Sequence, residues 1–563
     1  MQKTMLAFLT LILVNIFVFG QVYTFEFIGY DDAEFVPANP ALEHGLTFEG
    51  VRAAFSPYYA NWIPFTTMTY LADHALYGFD PSGYHLTNLV FHVINSLLVF
   101  MVFRYMTGQF WLSLGLALLF ALHPTRVETV AWISERKGLV STTFLLAAIG
   151  AYAGYVRSSR KLLYVATALL LISSLIAKSM AVTLPCVFLL LDVWPLNRYS
   201  LSEVFSRENR AICVKLCIEK VPLFLIVVAS GLITIISQDE SGSMSTLTDV
   251  TIWMRITNTF YGYGAYLAHT IWPVNLIPFY PHLGDALPLW KPGMGMLIVA
   301  VMTVFVSMQL KRRPYLFVGW FWFAGMLIPA IGLVQVGAQA YADRYMYVPL
   351  IGLGIMIFGA IGEWAKSRPE IAKRGTVCCA IVLTGFAWIS WMTTSHWENT
   401  VGLFSYTVEV DDENLVGHTI LGMALLREAE LDESQVHLER ALELDANHPP
   451  ALYALGTLYL RRADPGATAA DAEAMAENSE TYDKLENNIG AGYLMREEYE
   501  RAEPHLLKAL ELNPGNAVAM TNLAIVRHSQ GLLDEALRLA EDAAALDPSY
   551  SKAQEFVDYI KGN

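Results

Sequence analysis

The chain has 563 residues, of which 55% are hydrophobic and only 16% charged. Soluble proteins usually carry about 25% charged residues, so this composition excludes an ordinary soluble enzyme and a disordered chain alike. The net charge of −15 is unevenly placed: 31 acidic and 12 basic residues lie from Glu398 onward, against 21 acidic and 25 basic before it. An apolar, slightly basic body is therefore followed by an acidic tail, and an acidic tail repels phosphate and argues against nucleic acid as a partner. Five cysteines form no CxxC pair and no Cys/His ligand spacing, which excludes a zinc site or a disulfide framework.

In chain order, apolar stretches long enough to cross a bilayer fall near 4–21, 86–106, 108–122, 138–156, 161–178, 180–195, 220–237, 294–310, 315–333, 345–363 and 375–394. The first reads as a retained signal-anchor rather than a cleaved signal peptide, because its start is weakly basic and no small-x-small site follows. A twelfth stretch, 257–277, is broken by Trp272-Pro273 and by Pro278 and Pro281, and is expected to be re-entrant or interfacial. Arg157 to Lys161, Arg198 to Lys220, Lys311 to Arg313 and Lys366 to Arg374 mark cytoplasmic loops. Eleven spans then place the tail outside the cytoplasm, together with loops 22–84, 123–137, 178–183, 238–256 and 334–344. The domains expected are a polytopic membrane domain, 1–395, and a soluble domain, 396–563.

The tail repeats. Asp411, Asp445, Ser479, Asn513 and Asp547 are 34 residues apart, the period of the helix–turn–helix tetratricopeptide repeat. Leu421-Gly422, Leu455-Gly456, Ile489-Gly490 and Leu523-Ala524 occupy equivalent packing positions. The second repeat degrades across 463–480, and 549–561 reads as a capping helix. The fold class expected is all-α: a helical membrane body followed by an α-solenoid that binds peptide or protein.

The residues able to do chemistry concentrate in the loops assigned to one side. Asp31 and Asp32 are adjacent carboxylates just after the first span; such a pair can supply a general base, or can simply cap a helix. His123 to Lys137 mixes His, Glu, Arg and Lys between two apolar runs, suited to an amphiphilic head group or to interfacial anchoring. His85, Asn88 and His92 share one helix face, as a polar site in a span or as an interhelical hydrogen-bond set. Lys178 sits at a boundary against the positive-inside bias, which suits an anionic ligand or snorkelling. Asp343-Arg344 offers either a planar fork for phosphate or a neighbour contact.

Taken together, Tyr30-Asp31-Asp32, Gly83 to His92, His123 to Lys137, Lys178 to Pro185 with Asp192 to Leu196, Ala342 to Pro349 and the repeats resemble the transmembrane and tetratricopeptide-repeat-containing O-mannosyltransferase family, within the GT-C fold, and its bacterial relatives. The resemblance covers nearly the whole chain. It implies a polyprenyl-phosphate sugar as donor, mannose the expected sugar, and catalysis by an acidic residue of the first outer loop. That role carries over to Asp31 or Asp32, Asp31 ahead; the pair departs from the Asp-Glu form of some related mannosyltransferases, which leaves open which carboxylate acts. Glu128 becomes a second acidic contact. Arg136, Lys137, Lys178 and Arg344 become contacts to the donor phosphate, and His85, Asn88 and His123 complete the substrate-binding set.

The expected reaction is one inverting displacement with oxocarbenium character, its phosphate leaving group met by cations. No cofactor is required; a divalent metal at Asp31 and Asp32 is compatible with the pair but not needed. The acceptor is expected to be protein Ser/Thr, with a lipid or polysaccharide acceptor, or a non-enzymatic scaffold acting through its repeats, as alternatives. Membrane lipid is the remaining partner. The repeats are expected to be periplasmic in a bacterium or in the ER lumen of a eukaryote.

Overall fold

The computed structural model describes residues 2–59, 61–200, 207–240, 250–333, 337–463, 482–495, 497–548 and 550–562. Parts of the expected loops 238–256 and 334–344, part of the basic stretch 198–220 and nearly all of the degraded segment 463–480 lie outside these residues. The chain divides into two compact units, Met1–Tyr406 and Thr407–Asn563.

The first unit is a helical body. Among the described residues six of its helices are long and apolar enough to cross a membrane: Gln2–Thr24, Pro81–Thr107, Ile133–Ser158, Trp290–Met308, Pro349–Ser367 and Pro369–Ser395. Many start on a proline, whose missing N–H costs nothing in a first turn. The Pro81–Thr107 helix also has Asp80 as cap, its carboxylate accepting from Ser82 N at 3.0 Å. It ends on Gly108 at φ +69°, a left-handed position that glycine tolerates. Met5, Leu9, Leu13 and Phe17, and Met294, Leu297, Val301 and Val304, stay exposed along their helices. Apolar stripes of this kind suit lipid rather than water, and the chain is a multi-pass membrane protein.

Among the described residues six helices, or seven with one bent pair, pass on length and composition alone. The apolar runs at 161–178, 180–195 and 315–333 form the shorter helices Lys161–Ala177, Ser179–Val193 and Pro314–Leu327. Each is shorter than the six. Phe110–Leu122 and Pro124–Ala131 are bent by 62°. The bend has a local cause: a residue before proline is pushed out of the helical region, and His123 is extended at φ −71°, ψ 134°. The 220–237 stretch lies within the helix Arg207–Glu240. The 257–277 stretch is the helix Ile252–Ile271, outside the six, followed by a two-stranded antiparallel pairing of Tyr280–Pro281 with Gln339–Tyr341.

Small residues bring two helices of the body into backbone contact. A Cβ placed on Gly352 would lie 2.4 Å from the carbonyl oxygen of Gly319, so Pro314–Leu327 and Pro349–Ser367 touch where only glycine fits. Several polar side chains inside the body are paired with one another or with backbone carbonyls. His92 meets the Tyr347 hydroxyl at 2.7 Å, and Asn95 donates to Leu139 O at 3.0 Å.

The second unit is a row of helix pairs. Leu415–Arg427 packs with Leu431–Leu444, Tyr482–Met495 with Tyr499–Leu512, and Ala517–Ser529 with Leu533–Leu546. Gly422 faces Leu438 and Gly490 faces Leu506, each leucine fully buried against a glycine of the partner helix. Asn414 and Asn516 cap equivalent helices by accepting from Gly417 N and Ala519 N. The final helix, Ser551–Gly562, buries Ala553 and Val557 and closes the row. Leu438→Ala leaves a cavity at the first pair and should destabilise this unit by about 2–5 kcal/mol, seen as a lower melting transition of the full-length protein by circular dichroism.

Candidate active site

The Asp31–Asp32 pair is split by the backbone. Residues 26–29 are stitched to a later strand of chain: Glu26 N donates to Glu398 O at 2.9 Å, and Gly29 N to Thr400 Oγ1 at 2.8 Å. Tyr30 stacks on Trp132 with ring centres 5.3 Å apart, and Trp132 Nε1 donates to Tyr30 O at 3.0 Å. Asp31 then adopts φ +70°, a conformation uncommon for a side-chain-bearing residue and worth a functional reading. The turn aims the two carboxylates differently. Asp32 is fully buried; its Oδ2 accepts from Ile28 N at 2.9 Å, and its Oδ1 from Ser134 N at 2.8 Å and from the Ser134 hydroxyl. Burial pushes Asp32 up to about 7, against the pull of the Ser134 and Ile28 donors. Asp31 is partly exposed, and among the described residues the one hydrogen bond to its carboxylate is a long 3.5 Å contact from the Tyr59 hydroxyl.

Beside this turn, cations gather on carboxylates. Glu128 accepts from Arg344 N at 2.7 Å and from the Arg344 guanidinium. Glu135 accepts from Lys178 Nζ at 2.7 Å, with Lys137 Nζ at 3.8 Å and Arg344 Nε at 3.6 Å. Arg344 also stacks on Trp132 and Tyr345, centred 5.4 and 5.0 Å away. Asp31 acts electrostatically on Lys137, and Tyr30 feels Arg344, Asp31 and Glu128 together. The carboxylate turn and the cations thus belong to one site. A small cleft, about 30 Å³ in volume, opens beside the cations, lined by Gly138, Thr142, Lys178, Met180, Arg344 and Tyr345 among others. A hydroxyl can be deprotonated at one edge of this arrangement while an anion is held at the other.

A tetratricopeptide-repeat model matches residues 481–549. Human protein O-mannosyl-transferase TMTC3 is 23% identical over 540 residues, covering 88% of this chain and 54% of that protein. Drosophila melanogaster protein O-mannosyl-transferase Tmtc3 is 21% identical over 606 residues, covering 93% of this chain and 61% of its own. Human TMTC4 is 22% identical over 73% of this chain and 63% of its own length. The chain is a distant homologue of the TMTC protein O-mannosyltransferases. It spans about half to three-fifths of the length of these TMTC relatives.

Several residues expected to touch substrate are instead spent inside this TMTC-like body. Arg136 is fully buried and ion-paired with Asp73; its Nε donates to Asn88 Oδ1 at 2.8 Å and its Nη2 to Tyr84 O at 2.6 Å. Asn88 is equally committed, donating to Val130 O at 3.3 Å and Trp132 O at 3.0 Å. His85 meets Glu26 O, and His123 lies between Thr125 Oγ1 and Thr270 O, both rings buried. These four bind the body together and expose no surface to a ligand. Among the described residues no group of three or more His, Cys, Asp or Glu side chains is placed to hold a metal ion. Lys137, Lys178 and Arg344 do meet, around Glu135, a residue quoted in the motif but given no role there. The roles of Asp73, Tyr59 and Ser134 were not readable in the sequence, because each acquires its meaning from a partner distant along the chain.

Two outcomes follow from these buried groups. Asp73→Ala strips Arg136 of its counter-charge and should lose about 3–5 kcal/mol, read as a collapsed yield of monodisperse protein in detergent. Asp32 keeps its proton in the folded protein up to about pH 7, whereas an unfolded aspartate loses it near 3.9. Its contribution to stability is therefore fullest at low pH and falls as pH rises through about 7. The melting temperature of wild type relative to Asp32→Asn should decline across that window.

Proposed function

We propose that this chain is a membrane glycosyltransferase that moves a sugar, mannose in our reading, from a polyprenyl-phosphate donor to a serine or threonine hydroxyl of a protein. The observation that carries the reading is Glu135 gathering Lys178, Lys137 and Arg344 beside an aspartate with no tight partner. Homology to the TMTC mannosyltransferases supports the donor and acceptor classes.

The chemistry is a single displacement. Asp31 takes the proton of the acceptor hydroxyl as the oxygen attacks the anomeric carbon, and positive charge develops on the sugar ring. The bond from that carbon to the phosphate oxygen breaks, and its electron pair leaves with the phosphate. Arg344, Lys178 and Lys137 stabilise that anion. Attack opposite the leaving group inverts the anomeric centre. Glu128 holds Arg344 in place, and Asp32 fixes the turn that presents Asp31. The site faces away from the cytoplasm, and the repeats hold the acceptor protein.

Purified full-length protein in lipid, given radiolabelled polyprenyl-phosphate mannose and Ser/Thr peptides, tests this. Asp31→Asn should lower transfer about 10²-fold or more while donor binding persists. Arg344→Met should weaken donor binding. Wild-type turnover in Asp31→Asn would assign the base elsewhere. A wild type inert with every polyprenyl-phosphate sugar would remove the transferase reading and leave the repeats as the functional part.

A further inference from the structure

A second acid–base arrangement borders this site. His269 sits in the last turn of the Ile252–Ile271 helix, and its Nδ1 is 2.9 Å from Asp343 Oδ1. The other oxygen of Asp343 accepts from the Tyr280 hydroxyl at 2.6 Å, and Ile277 N donates to that same hydroxyl at 3.1 Å. Asp343 is buried and fixed from two sides. It therefore fixes the ring in turn, with the proton on Nδ1 directed at the carboxylate. His269 Nε2 has no hydrogen-bond partner among the described residues, and the side chain keeps 15% of its surface exposed. A histidine oriented by a carboxylate through one nitrogen, with the other open, is the usual arrangement of a proton-transfer pair.

Its position says what it serves. Asp343 and Arg344 are consecutive in one short turn, Asp343–Met346. Arg344 leaves that turn toward Glu128 and Glu135, and its guanidinium also lies 3.5 Å from Pro278 O. The 277–280 segment is thus touched by both neighbours, by Asp343 through Tyr280 and by Arg344 at Pro278. The dyad therefore adjoins Arg344 through the shared turn and the 277–280 segment. Resting on the transferase reading above, we infer that His269, held by Asp343, donates a proton from Nε2 to the departing lipid phosphate.

The step balances. The anomeric carbon–oxygen bond breaks and its electron pair stays on the phosphate oxygen. The imidazolium Nε2–H bond breaks and its proton goes to the phosphate. The acceptor oxygen bonds the anomeric carbon and its own proton goes to Asp31. Water returns a proton to His269 and removes one from Asp31 before the next turnover. Lys178 and Lys137 meet the phosphate with charge alone, whereas His269 adds a proton that keeps it from accumulating a second negative charge.

The groups that face the ring are consistent with a charged form. Tyr280 and Tyr341 stand edge or tilted to it, 5.5 and 5.7 Å between ring centres, and Asp343 is the carboxylate in contact. His123, reached through the neighbouring Thr270 carbonyl, is spent on that bond and on Thr125, and Tyr266 of the same helix accepts from Ala342 N. Burial works against the charged ring, but the Asp343 carboxylate overrides it and raises His269 above the ordinary histidine value.

The test is the pH dependence of transfer by full-length protein in lipid, with polyprenyl-phosphate mannose, from about pH 6 to about pH 9. Wild type should lose rate on the alkaline side as His269 gives up its proton. His269→Gln should transfer about 100-fold more slowly, without that alkaline limb, while binding the donor as wild type does. Asp343→Asn should keep the limb but move it to lower pH, because the carboxylate no longer holds the charge. A purely structural His269 would leave the limb where it is in both variants. A wild-type profile flat to about pH 9, or a His269→Gln protein with wild-type rate, overturns the inference while leaving the transferase reading standing. A wild type inert toward every donor fails the transferase reading itself.

Discussion

A guanidinium buried at the head of a membrane helix must carry its counter-charge with it, and Arg136 is that guanidinium. It has no exposed surface, and it draws Asp73, Asn88 and the Tyr84 carbonyl onto one point while stacking on Tyr70 and Tyr84. Solvating such an ion in the interior needs several oriented groups, so the Pro64–Tyr77 and Pro81–Thr107 helices are held against the start of the Arg136–Ser158 helix. The residues on either side of Arg136 then have little choice. Ser134 reaches Asp32, Glu135 receives the cations, and Lys137 lies over the Phe35 ring within the field of Asp31. One structural ion pair therefore arranges four consecutive side chains.

The bend at His123 does comparable work on a larger scale. Because Pro124 forbids His123 a helical backbone, the chain turns 62° and lays the segment Pro124–Ala131 across the body. Glu128 rides on that segment and meets Arg344, 216 residues further on. On its far side, the turn that carries Arg344 is held by Asp343 and its two donors. Chain that could have continued through the bilayer is spent instead on positioning an ion pair.

Much of this was legible in the sequence, and what was not has physical causes. The repeats were readable because Gly422 and Gly490 recur in register with Leu438 and Leu506, so period and packing are the same fact. The longest apolar helices were readable from length and composition. Within the site, residue types were visible but their assignments were not. Arg136 and Lys137 are adjacent cations with opposite fates, one locked on Asp73 and one beside the cleft. Asp31 and Asp32 are chemically alike, and a single left-handed φ decides which is enclosed. His269 reads as an isolated histidine on a largely apolar helix, since its partner lies 74 residues away.

The pairing of Glu135 and Glu128 with every cation of the cleft also fixes how an anion can arrive. An open basic patch is neutralised by mobile ions from solution, and a ligand that displaces them gains from their release, so its affinity falls steeply with salt. Here the neutralising ions are side chains that cannot leave. A phosphate entering the cleft exchanges places with a tethered carboxylate, as on an ion-exchange resin whose counter-ions are bonded to the bead. Little bulk salt is liberated, so anion binding here is buffered against ionic strength. The displaced carboxylate stays nearby, ready to reclaim its cation when the anion leaves.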